Sequence, residues 1–88
     1  MSQPDAPDLA ATTLLVARFA PNRPDPATLT GDLDLVGDLG YDSVRLVELL
    51  LAVADAFALP LPLEAILAGP ALSIGALASE VTRARARS

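Results

Sequence analysis

The side chains that carry most nucleophilic and acid–base chemistry are missing from this sequence. Its 88 residues include no His, no Cys and no Lys. A Ser–His pair, a Cys–His pair and a Schiff-base lysine are therefore excluded, and without His or Cys no metal site is expected. Paired carboxylates can serve as acid and base, and Asp25, Asp32, Asp34, Asp38 and Asp42 crowd one stretch. That stretch is polar, and nothing in it points to raised pKa values, so a solvated acidic loop is expected. What remains is a hydroxyl: Ser43 directly follows Asp42 and precedes a run of apolar residues. An isolated Asp–Ser pair in that position is capping chemistry, so any further role must come from its surroundings.

The elements that position Ser43 follow from proline, glycine and apolar spacing. Residues 1–7 contain Pro4 and Pro7 and are expected to form a loose leader, before a folded unit over residues 8–83. Asp8 is expected to cap a first helix through about Ala20, with Leu9, Leu14, Leu15 and Phe19 among its apolar members. Pro21, Pro24 and Pro26 stop it. A long connection, 22–41, follows, and a structureless loop of that length in so small a chain must pack or work. Leu29, Leu33, Leu35, Val36 and Leu39 recur in it and are expected to pack across the bundle, with one helical turn near Ala27–Leu29. Asp42 caps a second helix from Ser43 to about Ala58. Pro62 opens a short third helix that ends near Ala68 before Gly69-Pro70. Ser73 caps a fourth from Ile74 to about Arg83, leaving residues 84–88 as a frayed basic tail. The expectation is all-α, a four-helix bundle with three longer helices, one short one and no strand.

The second helix carries two apolar faces. On a wheel at about 100° per residue, Leu46, Leu49, Leu50, Val53 and Phe57 cluster on one side, the spacing of a core face. Val44, Val47 and Leu51 fall elsewhere, near Glu48 and Asp55. Either the helix is buried on two sides, or the second stripe is a partner-docking face rimmed by acid.

Composition bounds the rest. At 52% apolar residues, the chain can build a core without disulfides, and with two Phe, one Tyr and no Trp that core suits helices. The net charge of −5 argues against nucleic-acid binding, which needs a basic face. No segment approaches the roughly 20 apolar residues of a membrane span, and Asp5 and Asp8 do not suit a signal peptide. A cytoplasmic monomer with no membrane contact is expected.

Taken together, Asp38-Leu39-Gly40-Tyr41-Asp42-Ser43-Val44, then Leu46 and Val47-Glu48-Leu49, with Phe57 further on, resemble the attachment-site region of acyl carrier proteins. The Pro-rich residues 60–62, a short helix and Ser73-Ile74-Gly75 keep the family's spacing, so the resemblance runs from about Asp34 to Val81. It implies an acyl-carrier bundle without catalytic residues, with 4'-phosphopantetheine from coenzyme A joined to Ser43. Asp42 would support the attachment, and Val44, Arg45, Val47, Glu48 and Leu51 would dock partners. Those partners would be a phosphopantetheinyl transferase, an acyl- or aminoacyl-loading enzyme, and an acyltransferase or ketosynthase. Two departures matter. Val44 replaces the usual Leu, and Arg45, Ala52 and Ala54 make helix two poorer in acid than fatty-acid-synthesis carriers. The implied setting is polyketide or mixed polyketide–peptide biosynthesis. Peptidyl carriers usually have His where Asp42 stands, which favours the acyl branch over an aminoacyl or peptidyl carrier. The competing reading is an unmodified helical interaction module docking through helix two.

Overall fold

A computed structural model describes residues 4–87 of the chain. Four α-helices follow one another: α1 (Ala6–Phe19), α2 (Ser43–Phe57), α3 (Leu63–Ala68) and α4 (Ile74–Arg87), with a 3₁₀ turn at Pro26–Thr28 inside the first connection. Among the described residues no strand forms, and Asp34 and Ser73 make an isolated antiparallel bridge. The architecture is the expected all-α bundle.

α1 packs against both α2 and α4, and the core lies where the three meet: Val16, Ala20, Leu49, Leu50, Val53, Ile74, Leu77 and Val81, joined by Leu35 and Tyr41 from the connection. Leu46 and Phe57 pack against it, so the core face expected of α2 is the face that is buried. α2 ends on Ala58, a C-cap in the left-handed conformation at φ 55°. Pro62 stands one residue before α3 rather than at its first position. No backbone donor is required there, which suits proline.

Both ends of the bundle differ from expectation. α1 starts at Ala6, with Asp5 at its cap and Pro7 in its first turn, where a missing N–H costs nothing. Asp8 is thus no cap: it points inward, 1% exposed. At the other end α4 runs past Arg83 to Arg87, so residues 84–87 of the expected frayed tail are helix, with Ala84 buried. Here the two ends hold each other. The Arg85 guanidinium straddles the Asp8 carboxylate with contacts of 2.7 Å to each oxygen. The Thr82 hydroxyl donates to Asp8 at 2.6 Å and accepts from the Asp5 N–H at 3.1 Å. Arg85 also lies over the Phe57 ring, 5.9 Å from its centroid, which brings in α2. Of the expected leader, Ala6 and Pro7 are helical, while residues 1–3, like Ser88, lie outside the described residues.

The long connection packs, as its leucines predict. Leu35 is buried and Leu29, Leu33 and Leu39 lie against the core, but Val36 is 55% exposed. A backbone seam fixes the loop to the start of α4. Leu35 N–H donates to Leu72 O at 2.9 Å, Ile74 N–H to Leu33 O at 3.0 Å, and Gly75 N–H to Gly31 O at 2.8 Å. A Cβ on Gly75 would stand 3.0 Å from that Gly31 oxygen, so any larger residue would have to push the loop back by a few tenths of an ångström.

Candidate functional site

The turn carrying Ser43 is built by four consecutive residues. Gly40 adopts φ 76°, a left-handed conformation available to glycine at little cost, and reverses the chain after the acidic loop. Tyr41 then enters the core, 2% exposed, with its N–H donating to Leu35 O at 3.0 Å. Its phenol donates to the backbone oxygen of Val16 in α1 at 2.6 Å. Burial pushes the Tyr41 phenol well above its ordinary pKa, against the pull of the nearby Arg45 charge, so it remains a donor. Asp42 is extended and caps α2: its Oδ1 accepts from the Arg45 N–H at 2.8 Å. Ser43 is the first helical residue and is exposed.

The helix start at Ser43 differs from that of α4. There Leu33, Gly31 and Ser73 supply acceptors to the first N–H groups, Ser73 Oγ taking the Ala76 N–H at 3.0 Å. At α2, Asp42 takes the Arg45 and Leu46 N–H groups, while those of Ser43 and Val44 have no acceptor among the described residues. Two open donors at the positive end of a helix dipole suit an anion on the adjoining hydroxyl.

Beside the serine lies an open groove of about 670 Å³ lined by Val36, Tyr41, Asp42, Ser43, Leu46, Val47 and Leu67. Val36 from the connection and Leu67 from α3, 42% exposed, both line it. The residues expected to dock partners separate into three groups. Val44 and Leu51 are 69% and 53% exposed and share the outer face of α2 with exposed Glu48. Val47 is half-buried and belongs to the groove. Arg45 is exposed but turned towards α1, its Nη1 donating to the Phe19 carbonyl at 3.1 Å. Reasoning from residue types missed Tyr41 and that Arg45 contact. The lone Tyr of the chain, between a glycine and an aspartate in a polar stretch, was the available signal.

Comparison with known proteins defines the class first. The model of a family described as phosphopantetheine attachment site matches residues 13–81, reaching back into α1 well beyond the resemblance around Ser43. The chain belongs to that family, whose members are carriers with a covalently attached 4'-phosphopantetheine. No curated protein and no solved structure matches it. Carrier domains of this kind generally lack catalysis of their own and meet phosphopantetheinyl transferases and biosynthetic enzymes. An exposed hydroxyl, two unoccupied N–H groups and an apolar groove together fit such an arm. No described helix is long and apolar enough to cross a membrane.

Proposed function

We propose that Ser43 bears the 4'-phosphopantetheine arm and that the chain is an acyl carrier of a specialised, polyketide-like pathway. The observation that carries this reading is the exposed Ser43 at an α2 start whose first two N–H groups are open. On attachment the Ser43 oxygen bonds to the pantetheine-side phosphorus of coenzyme A. The bond from that phosphorus to the nucleotide breaks, and the hydroxyl proton passes to the transferase. The phosphodiester anion then meets the Ser43 and Val44 N–H groups and the helix dipole. The arm supplies the thiol that this cysteine-free chain lacks. Tethering keeps an acyl thioester at an effective concentration in about the millimolar range near each docked enzyme.

Delivery, rather than bond making, is the role of the chain. Asp42 shapes the turn by capping it, and the exposed Val44, Leu51 and Glu48 give partners an apolar stripe with acid beside it. The scarcity of acid on α2 supports a dedicated pathway over general fatty-acid synthesis, and Asp42 before the serine supports acyl over aminoacyl cargo. Incubation with coenzyme A and a broad-specificity phosphopantetheinyl transferase should raise the intact mass by one phosphopantetheine, and Ser43→Ala should abolish the gain. No gain in the wild type, or a gain that persists in Ser43→Ala, would leave an unmodified interaction module as the better reading.

A further inference from the structure

Residues two before and two after Ser43 both reach the last turn of α1. Tyr41 donates to Val16 O at 2.6 Å from inside the core, and Arg45 donates to Phe19 O at 3.1 Å from the surface. Between them, Asp42, Ser43 and Val44 are all exposed, and the Ser43 and Val44 N–H groups make no contact that would hold them. Locally the start of α2 is held by the Asp42 cap alone, which takes the Arg45 and Leu46 N–H groups.

We propose that Tyr41 and Arg45 are positioning residues, bracing the Ser43 turn against the C-terminal end of α1 so that the hydroxyl is presented in one fixed orientation. The proposal rests on the reading of Ser43 as the attachment residue. Three physical points support the brace. Phe19 O is a carbonyl of the final α1 turn that the helix leaves without an internal partner, so the Arg45 contact satisfies both elements. Val16 O accepts the Tyr41 hydroxyl as a second donor beside the Ala20 N–H. The Arg45 cation stands at the negative end of the α1 dipole, where its charge is favoured. The anchor itself is firm, because Val16 and Ala20 are 0% and 2% exposed.

The geometry also separates bracing from docking. Residues at i and i+2 on a helix point to different sides, so Arg45 faces α1 while Ser43 faces the groove. Removing the brace therefore leaves Val44, Glu48 and Leu51 in place for a partner and loosens only the reacting hydroxyl. A hydroxyl that is bound but poorly aligned lowers turnover rather than affinity.

The test is the steady-state kinetics of arm transfer, with this protein as the varied substrate of a broad-specificity transferase and coenzyme A saturating. Tyr41→Phe removes only the phenol hydroxyl, and Val16 O keeps its bond from the Ala20 N–H at 3.0 Å, so the fold is retained. Arg45→Met removes the surface brace, and Arg45→Lys restores one donor to Phe19 O. Thermal melts establish that each variant is folded at the assay temperature. The expected result is a fall in kcat of about tenfold for Tyr41→Phe and for Arg45→Met, with KM close to wild type and recovery in Arg45→Lys. Wild-type kcat in Tyr41→Phe and Arg45→Met would overturn the proposal. So would a loss confined to KM, or an Arg45→Lys no better than Arg45→Met. A wild type that takes up no arm would instead overturn the underlying reading of Ser43, and the brace with it.

Discussion

Asp8 joins the two chain ends at the scale of one side chain. The hydrogen bond from Arg85 holds its carboxylate below the ordinary value of 3.8, with Thr82 adding to that effect and burial opposing it. A carboxyl depressed on folding stabilises the native state fully above its unfolded pKa, and the contribution fades as pH falls through the lower folded value. Asp8→Asn should therefore be less stable than wild type near pH 7, with the gap closing as pH drops below 3.8. Urea melts across that range would show it, and a gap constant with pH would exclude the ion pair as its source. Nothing in the sequence around Asp8 marks this role. An aspartate just after a proline and before apolar residues has the pattern of a cap, and its partners lie more than seventy positions away. Asp42 also stands at the head of an apolar-rich helical stretch and is a cap, so an aspartate at such a position does not by itself reveal which fate it has.

At the scale of the helix, α2 was legible and α1 much less so. The apolar spacing of α2 separates Leu49, Leu50 and Val53, all buried, from Val44 and Leu51, both exposed. Leu49→Ala should cost roughly 2–5 kcal/mol, whereas Leu51→Asp should leave thermal stability nearly unchanged. The second variant should instead weaken docking to partner enzymes, measured as a raised KM in arm transfer. If Leu51→Asp melts as early as Leu49→Ala, the outer stripe is structural. Val47 is a poorer probe, because it is half-buried in the groove and its loss would mix both effects. The buried residues of α1 are Asp8, Thr12, Val16 and Ala17, so two of the four are polar, while Leu14 is 60% exposed. Leu9, Leu15 and Phe19 pack against the core as their spacing suggests. Apolar periodicity does not find Asp8, whose burial is met by hydrogen bonds from α4, or Thr12, whose buried hydroxyl has no partner among the described residues.

Across the whole molecule, the two ends of the bundle have different tasks. The Asp8–Thr82–Arg85 cluster closes one junction of α1 with α4, while Tyr41 and Arg45 join α1 to the Ser43 turn at the other end of that helix. The seam of Gly31, Leu33 and Leu35 with residues 72–75 links the long connection to α4. Leucine recurrence foretold that the connection packs, but not where, because backbone-to-backbone pairing leaves little trace in residue type. Gly75→Ala tests the seam. Alanine gains up to about 1 kcal/mol of helix propensity, yet its Cβ would press on the Gly31 oxygen at 3.0 Å and strain a 2.8 Å hydrogen bond. Overpacking of this kind costs about 1–3 kcal/mol, so a net loss is expected in chemical denaturation. A variant as stable as wild type would mean that the loop yields easily.

The same seam bears on the order in which the chain acquires its shape. Helices form from neighbours in sequence, but Asp34 meets Ser73 only after the whole of α2 and α3 has been gathered between them. Closing so long a segment carries an entropic cost that nearby contacts do not. The turn at Ser43 sits inside that segment, supported from Leu35 on the seam. On the proposed reading of Ser43, the loop that leads into the attachment turn therefore takes its final packing only once α4 has arrived.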